Sequence, residues 1–321
     1  MLSAVWSIAR NAFTESIRQP VFVVLLLGTQ ILLALNLSLA AFSFWDDDKL
    51  LVDLGLSTMF LAGLFLAAFT ATGVFSREIQ NQTVLTVISK PVGRAAFVFG
   101  KYLGVSGALL VACLIWAAVF LLTVRHQVLI AAWQGYDQPV MVFGLLAFFG
   151  SLALALWGNY FYGWVFASSL TAAELPLSLL AYLLVLCFSK DWHLQSPATD
   201  LNGQLLIALL LVFEALAVLC AVALACSVRL GQTMTLALCV AIFFLGLSSD
   251  YLFGRHAQDH AAAALAYALF PNLQTFWLAD ALTQQHPVTA AYVFSATGYG
   301  ALYVLAALGL AVALFQTREV G

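Results

Sequence analysis

Long apolar runs separated by short polar or charged breaks organise this chain. Charge-free intervals lie between Arg18 and Asp46, Asp53 and Arg77, Lys101 and Arg125, Asp137 and Glu174, Arg229 and Asp250, and Asp280 and Arg318. A membrane-crossing helix needs about 20 mostly apolar residues. The interval after Asp137 is too long for one helix, and its apolar run continues to Phe188; Asn159 and Tyr160 offer a dividing turn. A further run between Asp200 and Arg229 is interrupted only by Glu214. The pattern predicts eight spans, at 21–44, 54–75, 102–123, 139–158, 163–188, 204–226, 232–249 and 290–315. Six or seven follow if part of 139–188 is re-entrant or interfacial. The expected fold class is an all-α polytopic membrane protein, with 1–321 as a single transmembrane domain free of internal repeats.

Three segments are predicted not to span. In 1–20, Val5, Trp6, Ala9, Phe13 and Ile17 fall near helical spacing, with Arg10, Glu15 and Arg18 between them. This reads as an amphipathic helix lying in the membrane interface. Residues 254–288 are expected to form the longest external segment, dipping into the outer interface. It reads as two short helices, 261–270 and 273–282, broken at Pro271-Asn272, with Phe276 and Trp277 as interfacial belt residues. The third segment, 76–101, holds four of the twelve Lys and Arg residues.

Composition agrees with this reading. The chain is 321 residues, 64% hydrophobic and 8% charged, against about 25% charged in soluble domains. A net charge of −3 gives no case for nucleic acid. The five Cys lie in apolar runs and read as small core residues, not a disulfide frame or metal site. No cleavable signal peptide is expected, because the apolar run from Val21 is too long for an h-region. With both termini in the cytoplasm, Arg10, Arg18, Arg77, Lys90, Arg94, Lys101, Arg229 and Arg318 fall inside, and only Lys49, Arg125, Lys190 and Arg255 outside. That cation bias supports this orientation and an even number of spans.

Within 76–101, Ile79, Val84, Val87 and Ile88 can share a helix face, with Gln80, Gln82, Thr83 and Thr86 as polar surface. Pro91 ends that helix and restricts Lys90. Arg94, Phe97 and Lys101 then line one face of the helix entering the third span. As a bland alternative, this is a cationic loop obeying the positive-inside rule. That alternative leaves unexplained why it is long and helix-forming when the other internal loops are minimal.

The stretch "SREIQNQTVLTVISKPVGRAAFVFGKYLG", Ser76–Gly104, resembles the cytoplasmic loop of ABC-2-type transporter permeases. The matching positions are Glu78, Thr83, Leu85, Ser89, Lys90, Pro91, Arg94, Phe97, Gly100 and Lys101. The N-terminal amphipathic helix, a Glu in a later span and a helical segment before the last span fit the same family. The resemblance implies that this loop, Thr86 included, holds the coupling helix that docks on a separate P-loop ATPase. ATP and Mg would sit on that partner. It also implies a second permease copy or paralogue, and a bacterial inner-membrane location. The extra span pair at 139–188 departs from the six-span architecture common in the family. No GxxxxGK[ST] motif occurs in the chain, so no catalytic site or cofactor is expected in it. The cargo reads as amphipathic or lipid-like and its movement as export. An ATP-independent transporter or channel, or a structural membrane partner, remains the alternative.

Other residues were weighed. Glu174 and Glu214 lie in apolar runs, where a carboxylate is costly and a functional candidate; interhelical hydrogen bonding is the bland reading. For Glu174, a carbonyl freed by Pro176 is the expected neighbour; for Glu214, Ser227, Thr233, Thr235 or backbone near Pro176. His256 and His260, with Asp259 between, have zinc-compatible spacing, but no Glu follows the first His, and a solvated external loop is the better reading.

Overall fold

The computed structural model describes residues 2–41, 47–80, 93–128, 135–284 and 286–316; for Leu2, residues 75–80 and Thr283 it gives backbone only. Its described residues contain twelve α-helices: α1 (Leu2–Ile17), α2 (Pro20–Ala40), α3 (Asp47–Gln80), α4 (Arg94–His126), α5 (Gln138–Tyr162), α6 (Phe166–Cys187), α7 (Gly203–Ser227), α8 (Gln232–Leu247), α9 (Ser249–Leu252), α10 (Ala261–Leu269), α11 (Ala279–Thr283) and α12 (Ala290–Gln316). Seven of them (α2 to α7, and α12) are long and apolar enough to cross a membrane. An eighth crossing is available as a broken one, Gln232–Leu247 followed by Ser249–His256 at a bend of 67°. The all-α polytopic fold expected from the hydropathy pattern is therefore present.

Two boundaries differ from the sequence reading. The α5–α6 turn falls at Gly163 rather than at Asn159-Tyr160. Gly163 takes φ 65°, a left-handed conformation that glycine adopts without a Cβ clash. Its N–H donates to Asn159 O at 3.1 Å, the bond of an αL cap, and the Trp164 N–H donates to Gly158 O at 3.2 Å. Residues 139–188 thus form two packed helices. The second difference is at the end of the span expected over 54–75. Helix α3 instead runs unbroken through Glu78 to Gln80, because nothing between Val74 and Gln80 breaks a helix. At the other flank α4 already begins at Arg94, so Lys101–Tyr102 lies inside a helix.

The chain divides into two compact units. One comprises residues 17–62 and 108–206. There α5 packs along α6, and α6 against α2. Val23, Ala155, Ala167 and Leu170 form one apolar layer. Leu122, Val140, Ala147, Ala181 and Val185 form another further along α6. Trp116 is fully buried, and its Nε1–H donates to Leu26 O at 3.0 Å, so its polar tip is satisfied.

The other unit comprises residues 1–16, 63–107 and 207–321. Within it, tyrosines of α12 hold the segment before the last span. Tyr292 donates to Thr275 O at 2.7 Å and Tyr303 to Ala268 O at 2.7 Å, while the Tyr299 hydroxyl accepts from Asn272 N–H at 2.7 Å. Residues 254–288 contain α10, a break at Pro271-Asn272, a 3-10 turn at Leu273–Phe276 and the short α11. Phe276, expected in an interfacial belt, is instead 1% exposed. Its ring covers Gly300, where the missing side chain leaves room for it.

Candidate functional site

Residues 81–92 lie outside the described part of the structure. Thr83, Leu85, Thr86, Ser89, Lys90 and Pro91 of the expected coupling helix fall there, and Glu78 is placed by its backbone alone, in the last turn of α3. The C-terminal flank of the segment is well defined. Arg94 Nη1 donates to Gln316 O at 2.7 Å, at the C-terminal end of α12, where exposed carbonyls favour a cation. Its guanidinium lies 6.0 Å from the Phe315 ring centroid, and Phe97 stacks on Phe315 at 5.6 Å.

Lys101 turns to a different neighbour. It is 1% exposed, with Nζ 3.9 Å from Glu15 of α1 and 5.6 Å from the Phe97 ring centroid. Arg94, Phe97 and Lys101 were expected to share one face. They do, and that face is spent inside the protein, joining α1, α4 and α12. Lys101 is therefore an anchor within this chain, and its ammonium is not presented outward.

Close approach of α1 to α4 depends on glycine. Gly100 and Gly104 are four apart on α4, and Ala9, Ala12 and Ser16 of α1 are buried. A Cβ on Gly104 would fall 2.5 Å from Ala12 Cβ and clash with Ala9 O; one on Gly100 would fall 2.8 Å from Ile8 Cβ. This is small-xxx-small packing of apolar helices. The spacing was visible in "GKYLG", and the sequence reading passed over it. The buried face of α1 is thus its small residues, while Trp6 is 73% exposed. Of the residues expected on its interface face, Ala9 is buried, Val5, Phe13 and Ile17 are half-buried, and Trp6 stays exposed.

The two intramembrane carboxylates sit in different units. Glu214 of α7 accepts from Thr297 Oγ1 of α12 at 2.8 Å. The partner comes from the last span, and not from Ser227, whose hydroxyl donates to Leu224 O in its own helix. If this bond is structural, Glu214→Gln keeps an acceptor for Thr297 and should leave thermal stability in detergent near that of the parent. Glu214→Leu should lower it by about 1 kcal/mol, the typical net contribution of one hydrogen bond. A folded Gln variant that no longer transports would assign Glu214 to the translocation path instead.

Glu174 of α6 is 1% exposed. It faces Gln30 of α2, yet neither carboxylate oxygen completes a hydrogen bond of normal geometry. The expected role of Pro176 fails for a geometric reason. Two residues on a helix are about 200° apart, so Pro176 and Ala172 face outward and are exposed while Glu174 faces in.

A charged junction that the sequence reading missed lies in the unit containing residues 108–206. Arg125, at the end of α4, pairs with Asp137 (3.4 Å) and Asp200 (3.0 Å), and donates to Val185 O and to Phe188 O at 2.5 Å. Asp137 also caps α5, accepting from Val140 N–H at 3.2 Å. One guanidinium thus joins the ends of four spans, a use of its fork geometry that lysine cannot copy. Three isolated loop charges in sequence gave no sign of it. Among the described residues, no three His, Cys, Asp or Glu side chains come together in a way that could hold a metal ion, His256, Asp259 and His260 included.

The family model described as "ABC-2 family transporter protein" matches residues 6–158. This segment is an ABC-2 family transporter domain. The match takes in α1, the Gly100/Gly104 junction, the segment 76–101 and α2 to α4, and stops within α5. No curated protein matches the chain. That match over slightly less than half of the chain, with the apolar helices, supports an integral membrane protein of the transport class.

Proposed function

We propose that the chain is the membrane-spanning subunit of an ATP-driven transporter, working with a separate P-loop ATPase and a second permease copy or paralogue. Its substrate is amphipathic or lipid-like and moves outward across a bacterial inner membrane, with both termini cytoplasmic. The observation that carries this reading is the ABC-2 match over residues 6–158, which includes the whole coupling segment. The frame around that segment supports it. One flank is the uninterrupted α3, and the other is α4, tied to α1 through Glu15–Lys101 and to α12 through Arg94. Force applied between Glu78 and Arg94 would enter two rigid span helices directly, with no flexible link to absorb it. ATP and Mg belong to the partner, since the chain has no P-loop motif.

The test is reconstitution with a P-loop ATPase that co-purifies with the chain. The double variant Thr83→Asp/Thr86→Asp places two negative charges on the polar face of the coupling helix. It should insert normally and lose substrate-stimulated ATP hydrolysis at least tenfold, which corresponds to about 1.4 kcal/mol of lost coupling. Unchanged stimulation would remove this loop from the mechanism. Failure of any ATPase to co-purify would favour the ATP-independent alternative.

A further inference from the structure

Between its two apolar layers, α6 carries one polar layer. Leu170 belongs to the first layer and Ala181 to the second; Thr171, Glu174 and Ser178 lie between them, all buried. On α5, Ser151 is fully buried between Ala155 of the first layer and Ala147 of the second. On α2, Gln30 stands two turns beyond Val23 of the first layer. Three helices therefore bring polar groups to one level, closed along the helix axes by hydrocarbon.

The chemistry of this level is lopsided. The hydroxyls of Ser151, Thr171 and Ser178 donate to carbonyls of their own helices, at 2.8, 2.9 and 3.1 Å. Their oxygens are left as acceptors. One N–H of the Gln30 amide donates to Leu26 O at 3.2 Å, and the other faces Glu174 without completing a hydrogen bond of normal geometry. Both Glu174 oxygens are buried and await a donor. No Lys, Arg or His occurs in α2, α5 or α6. The titratable groups on those helices besides Glu174 are Tyr160, Tyr162, Tyr182 and Cys187. From α4, Arg125 is committed to Asp137 and Asp200. A bare carboxylate here would be an uncompensated charge in an apolar interior, which costs several kcal/mol.

We infer that Glu174 is a proton-binding site within the spans. A proton taken from water converts the carboxylate to a neutral acid, which supplies the missing charge balance and one new donor to the acceptor-rich layer. A single carboxylate is enough for a proton, whereas a metal cation would need a fuller oxygen cage. Separation of α2 from α6 would admit water and allow the proton to leave, so occupancy of the site follows the opening of this unit.

The experiment is infrared spectroscopy of the purified protein in liposomes at neutral pH, in H2O and in D2O. The parent should show an isotope-sensitive C=O stretch of a protonated carboxyl group. Glu174→Gln should lack it, and Glu214→Gln should keep it. Identical spectra for parent and Glu174→Gln would overturn the inference. Should Glu174→Gln fail to fold, Gln30→Leu replaces it: removing the facing amide must move the band, and an unmoved band overturns the assignment. Thermal unfolding in sodium, potassium and choline buffers tests the other occupant. Equal midpoints are expected, and a sodium-specific stabilisation lost in Glu174→Gln would assign the site to a metal cation.

Discussion

Arg125→Ala is expected to abolish accumulation of folded protein, or to lower its stability by about 3–5 kcal/mol, the cost of breaking a buried ion pair from one side. Arg125 is 9% exposed and Asp137 fully buried, so removal of the guanidinium leaves Asp137 charged and unmatched. The Asp200 arm, 34% exposed, contributes least because solvent screens it. Two carbonyls at the end of α6 lose their donor as well. Arg125→Lys should recover only part of the loss, since one ammonium cannot serve two carboxylates and two carbonyls in a planar fork. Thermal unfolding in detergent and membrane abundance measure the effect. Near-parental stability of the Ala variant would show that the junction does not hold the spans.

Gly104→Val should free α1 from α4. The added side chain meets the backbone of Ala9 and the Cβ of Ala12, neither of which can turn aside by changing a rotamer. Overpacking of this kind costs about 1–3 kcal/mol, and the shift of α1 would also part Glu15 from Lys101. Amide exchange across residues 2–17 should accelerate at least tenfold, and coupling to an ATPase should fall with it. Gly298→Ala on α12, where an added Cβ meets nothing within 4 Å, is the control and should change neither. Unchanged exchange in Gly104→Val would show that α1 is held by something other than this close contact.

Glu214, Glu174 and Arg125 each take their partners from outside their own helix. Glu214 was legible as a costly residue, but Thr297 is 83 positions away and no local pattern connects them. The same holds for Gln30 and Glu174, and for Arg125 with Asp137 and Asp200. Where the signal was local it could have been read: Gly163 as a glycine near the α5–α6 turn free to take a positive φ, and Gly100-x-x-x-Gly104 as a close-packing face.

The sequence by itself determined the class, the spans and the family of the first half. Those follow from hydropathy runs, which a bilayer reads one helix at a time because each helix satisfies its own backbone hydrogen bonds. It also marked 76–101 as a segment apart from the spans, since its charges and Pro91 break the apolar pattern. Only the tertiary structure decided which faces are spent inside the protein. In apolar helices nearly every face is hydrophobic, so hydropathy cannot tell lipid from neighbour. Small residues, shape and a few polar contacts make that choice, as at Gly104, Phe276 and Lys101.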